Sequence, residues 1–248
     1  MSPSDAKPKE RSFLTAEWRN LLMLNYEVDG AILAGRVPRG CELDTWDNRH
    51  FVSVVGFLFL DTRVRGIPIP FHKNFEEVNL RFYVRRKVGD EWRRGVVFVK
   101  EIVPRWAIAA VARGIYGENY ESLPMRHFLA TASSSGSTTL NYEWNHRGRW
   151  EGVAASYSGA PTRPADDAEE TFITEHYWGY SNAKGGATIE YEVEHPRWNV
   201  WRADSAKLEC NVEKLYGPEF VKALSGDPST AFVADGSVVT VRAGRKLG

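Results

Sequence analysis

The sequence predicts an α+β fold dominated by antiparallel β-structure, with a few packed helices. First, residues 77–85 alternate strictly between polar and apolar side chains, which is the pattern of a strand. Second, the chain after Pro124 consists largely of short strand-like segments separated by turns. Third, residues 105–116 have a clear helical pattern, which follows Pro104 and ends near Gly117. We therefore expect a closed or nearly closed sheet against which this helix packs.

The first third of the chain predicts a polar tail followed by mixed elements. Residues 1–12 are predicted to form a flexible tail, and residues 13–248 a single domain. Residues 13–24 combine helical and strand spacing, so their type stays open. Residues 29–35 predict a short capped helix, and the Val- and Phe-rich run 50–60 predicts a strand.

Two strands flank the turn at Gly89. Residues 77–85 and 95–103 are predicted to form a hairpin across this glycine. In the first strand Glu77, Asn79 and Arg81 share one face, and the other face is entirely apolar.

The second half predicts strands at residues 133–144, 149–156, 171–180 and 187–195. A second helix is expected at residues 212–224. Asp235-Gly236 lies between two apolar runs and predicts a two-residue hairpin turn.

Composition excludes several classes of protein. The chain has 32 Lys and Arg against 32 Asp and Glu, whereas nucleic-acid binders carry a net basic surface, so we expect no nucleic-acid partner. Two cysteines are too few for a disulfide framework or a cysteine-built zinc site. No window approaches the ~18 apolar residues of a membrane span, so we expect a cytoplasmic protein without a membrane partner.

Residues 107–121 resemble the active-site segment of acetoacetate decarboxylases. Arg113, Ile115, Tyr116 and Gly117 follow the order of that segment, in which two lysines come shortly afterwards. Here Tyr120 and Glu121 occupy the positions of those lysines. A Schiff base needs a primary amine, and a second lysine lowers the pKa of the first, an effect for which that enzyme is the standard example. The resemblance therefore implies the pocket and argues against its imine chemistry.

Most of the chain is also similar to the YqjF-like bacterial proteins, a family of unknown function. The resemblance is carried by the segments 13–18, 55–59, 74–81, 116–120, 174–180 and 194–198. It implies an acetoacetate decarboxylase-like fold, which is an antiparallel β cone or barrel around a small-molecule cavity. Fold alone does not transmit function.

Glu77 is the first candidate site residue, because Phe75-Glu76-Glu77-Val78 resembles the setting of a pocket glutamate in the decarboxylases. If Glu77 faces a cavity, Asn79 and Arg81 face it as well. Glu77 and Arg81 would then lie roughly 13 Å apart along the strand and could contact the two ends of a small acid. The alternative is that this polar face is the solvated outside of the sheet.

Tyr120 and Glu118 form a second candidate pair, since a phenol beside a carboxylate can act as a general acid. The alternative is an ordinary loop after a helix. Lys100 is the candidate for a substitute amine, although a lysine on a strand is more often an edge charge and neighbouring Glu101 faces the opposite way.

His176 and His195 are expected on two neighbouring strands that pair across the turn at residues 184–186. Two histidines and a carboxylate could bind a metal, but the aromatic neighbours favour a pocket-wall role for His176, Tyr177 and Trp178. We expect no metal and no cofactor.

The leading functional hypothesis is a small-molecule pocket protein that acts on a small carbonyl or carboxylate compound. Its chemistry would be acid–base catalysis of the lyase or isomerase kind, without a Schiff-base lysine. Glu77 and Tyr120 would be catalytic, and Arg81, Asn79, Glu118, His176 and Trp178 would bind the ligand. The alternative is a non-catalytic binding protein for an apolar ligand or a protein partner, and a homo-oligomer stays open in either case.

Overall fold

The computed structural model describes residues 12–68, 72–104, 119–133, 136–183 and 185–247. The strands of the N-terminal half are β1 Ser12–Val28, β2 Glu42–Leu43, β3 His50–Val64, β4 Ile67–Pro68, β5 Phe75–Val88, β6 Glu91–Val103, β7 Tyr120–Ser122 and β8 Met125–Thr131. Those of the C-terminal half are β9 Thr138–His146, β10 Arg149–Tyr157, β11 Trp178–Asn182, β12 Thr188–Glu194, β13 Val200–Glu209, β14 Thr230–Arg242 and β15 Arg245–Leu247. The described helices are α1 Glu169–Thr174, α2 Val212–Leu215 and α3 Val221–Leu224, with 3₁₀ turns at Gly30–Ile32, Ala34–Arg36 and Pro218–Phe220.

Seven strands close into a ring in the order β12-β11-β6-β5-β3-β1-β14. The pairs Val193–Val241 and Glu194–Thr240 join β12 to β14 and close it. Neighbouring strands of the ring are antiparallel except for β11, which runs parallel to β6. The predicted strand-dominated α+β fold of cone-like form is therefore confirmed, including the β5–β6 hairpin.

A second layer covers one face of the ring. The sheet continues from β14 through β13 to β10, β9 and β8. Val54 and Leu80 on the outer face of the ring belong to one buried cluster with Leu140, Tyr142 and Val153 of β9 and β10. The inner face of the ring holds a separate cluster that includes Met23, Phe57, Phe59, Phe75 and Phe232. Because both faces of the central ring strands are buried, polar residues on them need partners inside the protein.

A buried carboxylate ties β12 to its neighbours. The side chain of Glu190 is fully buried and forms ion pairs with Arg86 of β5 at 3.2 Å, Arg93 of β6 at 2.8 Å and Arg245 of β15. Tyr180 of β11 donates a further hydrogen bond to it at 3.1 Å. Removing one partner of such a buried group is far costlier than removing an exposed charge.

Three predictions of secondary structure were wrong. Residues 171–180 are not one strand, because α1 extends to Thr174 and β11 begins at Trp178. Glu169 and Glu170 lie in the first turn of α1, where negative charge stabilises a helix. Burial of Phe172 and Ile173 in the inner cluster holds this short helix in place.

Asp235-Gly236 is not a hairpin turn but a bend inside the continuous strand β14. Gly236 has a φ of 83° and lies opposite Arg19, next to Asn20, which also has positive φ. A Cβ at Gly236 would lie 2.0 Å from the carbonyl oxygen of Trp18, so glycine serves close packing of two strands here. The predicted helix at 212–224 is instead broken into α2, a 3₁₀ turn and α3 at Gly217, whose φ is 117°.

Several other segments differ from, or lie outside, the sequence prediction. Residues 13–24, left open above, belong to the long strand β1, and the strands β8 and β13 were missed. The predicted helix at 105–116 lies outside the described residues. Within the described ranges, every helix is too short to cross a membrane.

Gly56 provides a test of how tightly the two layers pack. A Cβ at this position would lie 2.6 Å from Cδ2 of the fully buried Tyr142, whose hydroxyl donates to the backbone oxygen of Asn20. We expect Gly56→Ala to destabilise the protein by about 1–3 kcal/mol through overpacking, measured by urea denaturation. Gly35→Ala is the matched control, because no atom lies within 4 Å of its added Cβ. Equal stability of the two variants would contradict close packing between the layers.

Candidate functional site

A cavity of about 130 Å³ lies inside the ring. Each of the seven ring strands contributes to its wall, and β7 adds Tyr120. Most of the lining is apolar, with aromatic side chains from Phe13, Trp18, Phe57, Phe59, Phe75, Phe98, Trp178, Tyr191 and Trp198. The polar lining consists of Glu77, Asn79, Arg81, Glu101, Tyr120, Thr174, His176 and His195. A few polar groups in an otherwise apolar pocket are typical of a small-molecule site.

The polar face of β5 forms part of this wall. Glu77 is 3% exposed and Asn79 is 2% exposed, and both line the cavity together with Arg81. These residues therefore do not form a solvated outer face of the sheet. Both faces of β5 are buried, one against the second layer and one around the cavity.

Glu77, Asn79, Glu101 and Tyr120 gather at one end of the polar wall. Strand register places Asn79 opposite Glu101 on β6, and Glu101 opposite Tyr120 on β7. The side-chain amide of Asn79 donates to Oε1 of Glu77 at 3.0 Å. The hydroxyl of Tyr120 donates a long hydrogen bond, of 3.4 Å, to Oε2 of Glu77. The site therefore pairs a buried carboxylate with a phenol, which is a suitable arrangement for proton exchange with a ligand.

A β-bulge in β6 decides which of two adjacent charges faces the cavity. Val96 and Phe98 line the cavity, so strict alternation would place Lys100 there as well. The pairing shifts between Leu80–Lys100 and Arg81–Phe98, which inserts one extra residue into β6. Glu101 is thereby turned inward, and Lys100 shares the opposite face with Leu80, where it pairs with Glu121 at 2.6 Å. No lysine is among the described residues of the cavity wall.

Arg81 brings a positive charge to the wall. Its Nη2 donates to the backbone oxygen of Ile173 at 3.1 Å, and its guanidinium lies 5.6 Å from the ring centre of Tyr83. Its buried Nε donates to no acceptor in the described part of the chain, and no carboxylate there lies within ion-pair distance of the guanidinium. An arginine held in this way can donate hydrogen bonds to an anionic group of a ligand.

His176 is fixed by a carboxylate on its outer side. Its Nε2 lies 3.2 Å from Oδ2 of Asp44, and the same oxygen accepts from Nε of Arg94 at 2.7 Å. The imidazole packs between the rings of Tyr83 and Phe172, with centroid distances of 4.7 and 5.1 Å. Asp44 is remote in sequence from His176, so only the fold brings them together.

The surroundings of Asp44 and His176 determine which of the two side chains is charged. Burial opposes ionisation of Asp44, but hydrogen bonds from His176 and Arg94 outweigh it and lower the pKa of Asp44 to about 2. Burial, together with the positive charges of Arg94 and Arg81, lowers the pKa of His176 from 6.5 to about 4 in spite of Asp44. At neutral pH the pair is therefore a carboxylate and a neutral imidazole.

His195 and Trp178 complete the predicted residues. His195 lies in the cavity wall, stacks on Trp198 at 4.1 Å, and places Nδ1 2.9 Å from the backbone oxygen of Pro196. The two histidines do not lie on paired strands as expected, because His176 precedes β11 and His195 follows β12. Trp178 lines the cavity, whereas Tyr177 contacts the ring of His195 from outside the wall. No three potential metal ligands cluster within the described ranges.

Sequence reasoning missed two residues of the site. Glu101 could have been noticed, because it is an acidic residue within an apolar strand, next to Lys100. The bulge that turns Glu101 inward has no sequence signature, so its facing the cavity could not be predicted. Asp44 lies in a loop before the isolated bridge of Trp46 and carried no signal. Glu118, a predicted binding residue, lies outside the described residues.

Comparison with known proteins identifies relatives of the whole chain. Residues 15–237 match the DUF2071 family, described as an uncharacterized conserved protein. Uncharacterized protein YqjF of Bacillus subtilis is 25% identical over 215 residues, which cover 85% of this chain and 83% of that protein.

Solved structures resemble the chain in fold. The enduracididine biosynthesis enzyme MppR complexed with pyruvate superposes with a TM-score of 0.69 at 13% identity, covering 100% of this chain and 95% of the other. Acetoacetate decarboxylase from Legionella pneumophila gives a TM-score of 0.65 at 13% identity, with 100% and 92% coverage. At this identity the likeness establishes the acetoacetate decarboxylase-like fold and leaves the chemistry to be argued from the residues.

We expect no imine to form between this protein and acetoacetate. The reaction needs a partly neutral amine in the cavity, and Lys100 lies on the opposite face of β6 beside Glu121. Treatment with acetoacetate and borohydride should leave the intact mass unchanged. An adduct that disappears in Lys100→Arg would restore a Schiff-base mechanism.

The titration of His176 is a second test of the site. Because its folded pKa is about 4 against an ordinary 6.5, the unfolded chain binds a proton between these values that the folded protein does not. The free energy of unfolding should therefore fall as the pH decreases through this window. We expect the ¹³Cε1 NMR signal of His176, assigned by comparison with His176→Gln, to titrate near pH 4. A midpoint at or above 6.5 would contradict a buried neutral imidazole.

Proposed function

Since the chain belongs to the DUF2071 family of uncharacterized conserved proteins, we propose a function from its own cavity: it binds a small carboxylic acid and acts on it by acid–base chemistry without an imine. The observation that carries the proposal is Arg81, a cavity-wall guanidinium without a carboxylate partner among the described residues. A cation inside an apolar cavity is costly unless an anion accompanies it. A ligand carboxylate would supply that anion.

The far end of the polar wall supplies groups that exchange protons. The backbones of Glu77 and Arg81 lie roughly 13 Å apart along β5, and both side chains line the cavity, so a small acid is placed between them in this proposal. We assign Arg81 as the carboxylate anchor, Glu77 as base or hydrogen-bond acceptor, and Tyr120 as proton donor. Glu77 and Tyr120 lie within 3.4 Å of each other, so a proton taken by one can be replaced from the other.

Two further observations support this class of ligand. The MppR structure with a similar fold contains pyruvate, a small keto acid, and we extend this ligand class to the present cavity as part of the proposal. The outward position of Lys100 supports chemistry in which the carbonyl or carboxylate compound stays non-covalently bound. Lyase or isomerase reactions that begin with removal of a proton beside a carbonyl can act on a small keto acid and need no covalent bond between ligand and protein.

A second candidate function is non-catalytic binding of an apolar ligand. The aromatic wall favours it, because Trp18 packs edge to face on Phe57 and Phe59 at centroid distances of 5.2 and 5.8 Å. Such a wall would hold the apolar body of a ligand in either hypothesis. The two differ in whether the polar residues act on the ligand.

We place this activity in the cytoplasm, with a small molecule as the partner and with neither nucleic acid nor membrane involved. The two free cysteines, Cys41 and Cys210, fit a reducing compartment, and the balanced charge of the chain does not favour a polyanionic partner.

Binding is tested with thermal-shift and calorimetric titration of small keto, hydroxy and unsubstituted carboxylic acids, with ketones for comparison. Arg81→Ala should weaken acids by about 10- to 100-fold, as expected for loss of a charged hydrogen bond, and leave ketones unaffected. Arg85→Ala is the matched control, because Arg85 lies on the same strand but pairs at the surface with Glu42. Acids that bind Arg81→Ala as well as the parent would refute the anchor.

Chemistry is tested separately by exchange of ligand hydrogens in D₂O, followed by ¹H NMR. The protein should accelerate exchange of the hydrogen beside the carbonyl, and Glu77→Gln should remove that acceleration while keeping ligand affinity. Glu76→Gln is the control, since Glu76 contacts His127 and is absent from the cavity wall. Tight binding without any exchange by the parent would favour the non-catalytic alternative.

A further inference from the structure

Three arginines, Arg86, Arg93 and Arg245, surround the single carboxylate of Glu190, and we call them the arginine cluster. Nη1 of Arg86 lies 3.2 Å and Nη1 of Arg93 2.8 Å from the carboxylate oxygens, and Nε of Arg245 donates at 2.8 Å. No other carboxylate of the described residues lies within ion-pair distance of these guanidiniums. Three guanidiniums against one carboxylate leave an excess of two positive charges.

The pairing of the strands places these charges together. Arg86 of β5 lies directly opposite Arg93 of β6, and like charges at directly opposite positions of an antiparallel pair destabilise it. Arg245 of β15 joins them because it pairs with Glu190 of β12. Glu190 offsets part of the repulsion between the arginines. The remaining repulsion favours the binding of a further negative charge at this place.

The arginine cluster keeps donors that reach solvent. Arg86 and Arg93 each donate to Glu190 through Nη1 alone. Their Nε and Nη2 atoms donate to no described residue, and none of these four nitrogens is enclosed by the protein. The side chains of Arg86, Arg93 and Arg245 are 23%, 25% and 43% exposed. A ligand at the surface can therefore reach the unused donors.

The protein holds the guanidiniums in place before any anion binds. The guanidinium of Arg93 lies over the ring of Trp178, 4.1 Å from its centre, and an arginine stacked in this way can still donate from its edge. Arg245 donates to Oε2 of Glu190 through both Nε and Nη2. Glu190 is itself fully buried and accepts from the hydroxyl of Tyr180. Binding an anion here therefore costs little ordering of side chains.

The arginine cluster lies outside the cavity. Neither Glu190 nor any arginine of the cluster lines the cavity wall. Arg86 and the cavity residue Arg81 are five positions apart on β5, so their side chains leave opposite faces of the strand. An anion at the cluster would therefore occupy a site separate from the one proposed for a carboxylic acid.

We propose that Arg86, Arg93 and Arg245 form a surface binding site for a phosphate group. A phosphate monoester carries a charge of about −1.5 to −2 at pH 7, which matches the excess positive charge of the cluster. Its oxygens accept charge-assisted hydrogen bonds from several guanidiniums at once. Free phosphate and the phosphate ester of a small molecule share this chemistry. The site adds to the function proposed for the cavity and does not depend on it.

Isothermal titration calorimetry with inorganic phosphate and with glycerol 3-phosphate, at low ionic strength, tests the site. We expect the parent protein to bind phosphate, and Arg93→Gln and Arg245→Gln each to weaken binding about tenfold through loss of a charged hydrogen bond. Both variants leave Glu190 with two cations, so both should fold. Phosphate should also raise the melting temperature of the parent more than that of either variant.

Two controls separate this site from other arginines. Arg85→Gln is the matched control, because Arg85 is the neighbour of Arg86 on β5 but pairs with Glu42. Arg81→Ala removes the cavity arginine. Both should bind phosphate as tightly as the parent. Tighter binding of glycerol 3-phosphate than of inorganic phosphate would assign the site to phosphate esters, and the reverse order to the free ion.

Binding of neither ligand by the parent would overturn the proposal. It would also be overturned by an affinity for phosphate that is unchanged in Arg93→Gln and Arg245→Gln, or that falls in Arg81→Ala instead. Arg86→Gln replaces either cluster variant that shows no cooperative thermal unfolding, with the same expected loss of affinity.

Discussion

Closure of the ring by β12 and β14 is the constraint on which the site depends. Once the ring is closed and its outer face is covered by β9 and β10, each inward-facing side chain of β5 must lie in the interior. A polar row that would be solvated on an open sheet becomes the wall of a cavity. The free-energy cost of burying these groups is offset where they form hydrogen bonds with one another, as Asn79 and Glu77 do. Arg81 has only a backbone oxygen as its oxygen acceptor among the described residues, and in our proposal a ligand carboxylate offsets its burial.

Small departures from regular strand geometry then decide the chemistry. One extra residue in β6 exchanges an amine for a carboxylate in the wall, so that Glu101 faces the cavity and Lys100 faces away. The loop that carries Asp44 binds Nε2 of His176, and burial keeps this imidazole neutral in spite of the carboxylate. The fold shared with acetoacetate decarboxylase is thus combined with a wall that lacks the amine among its described residues but has an arginine, two carboxylates and a neutral histidine.

The sequence predicted the parts of this arrangement that depend on local pattern. Alternation in residues 77–85 and the turn at Gly89 predicted the β5–β6 hairpin and the shared face of Glu77, Asn79 and Arg81. The sequence could not predict whether that face is exposed to solvent, because its burial depends on ring closure between residues far apart in the chain. The bend at Gly236 was mistaken for a hairpin, since a glycine with positive φ serves a turn and a close strand contact equally well. The contact between Asp44 and His176 had no local signal at all.

The central claim is that Arg81 and the polar face of β5 form a carboxylate site inside the ring. A crystal structure of the protein with the most tightly bound acid measures this most directly. The account predicts electron density for the acid within the cavity, with its carboxylate in hydrogen-bonding distance of the Arg81 guanidinium and its apolar body against Phe57 and Trp198. An acid bound outside the ring, or one bound inside with its carboxylate directed away from Arg81, would contradict it.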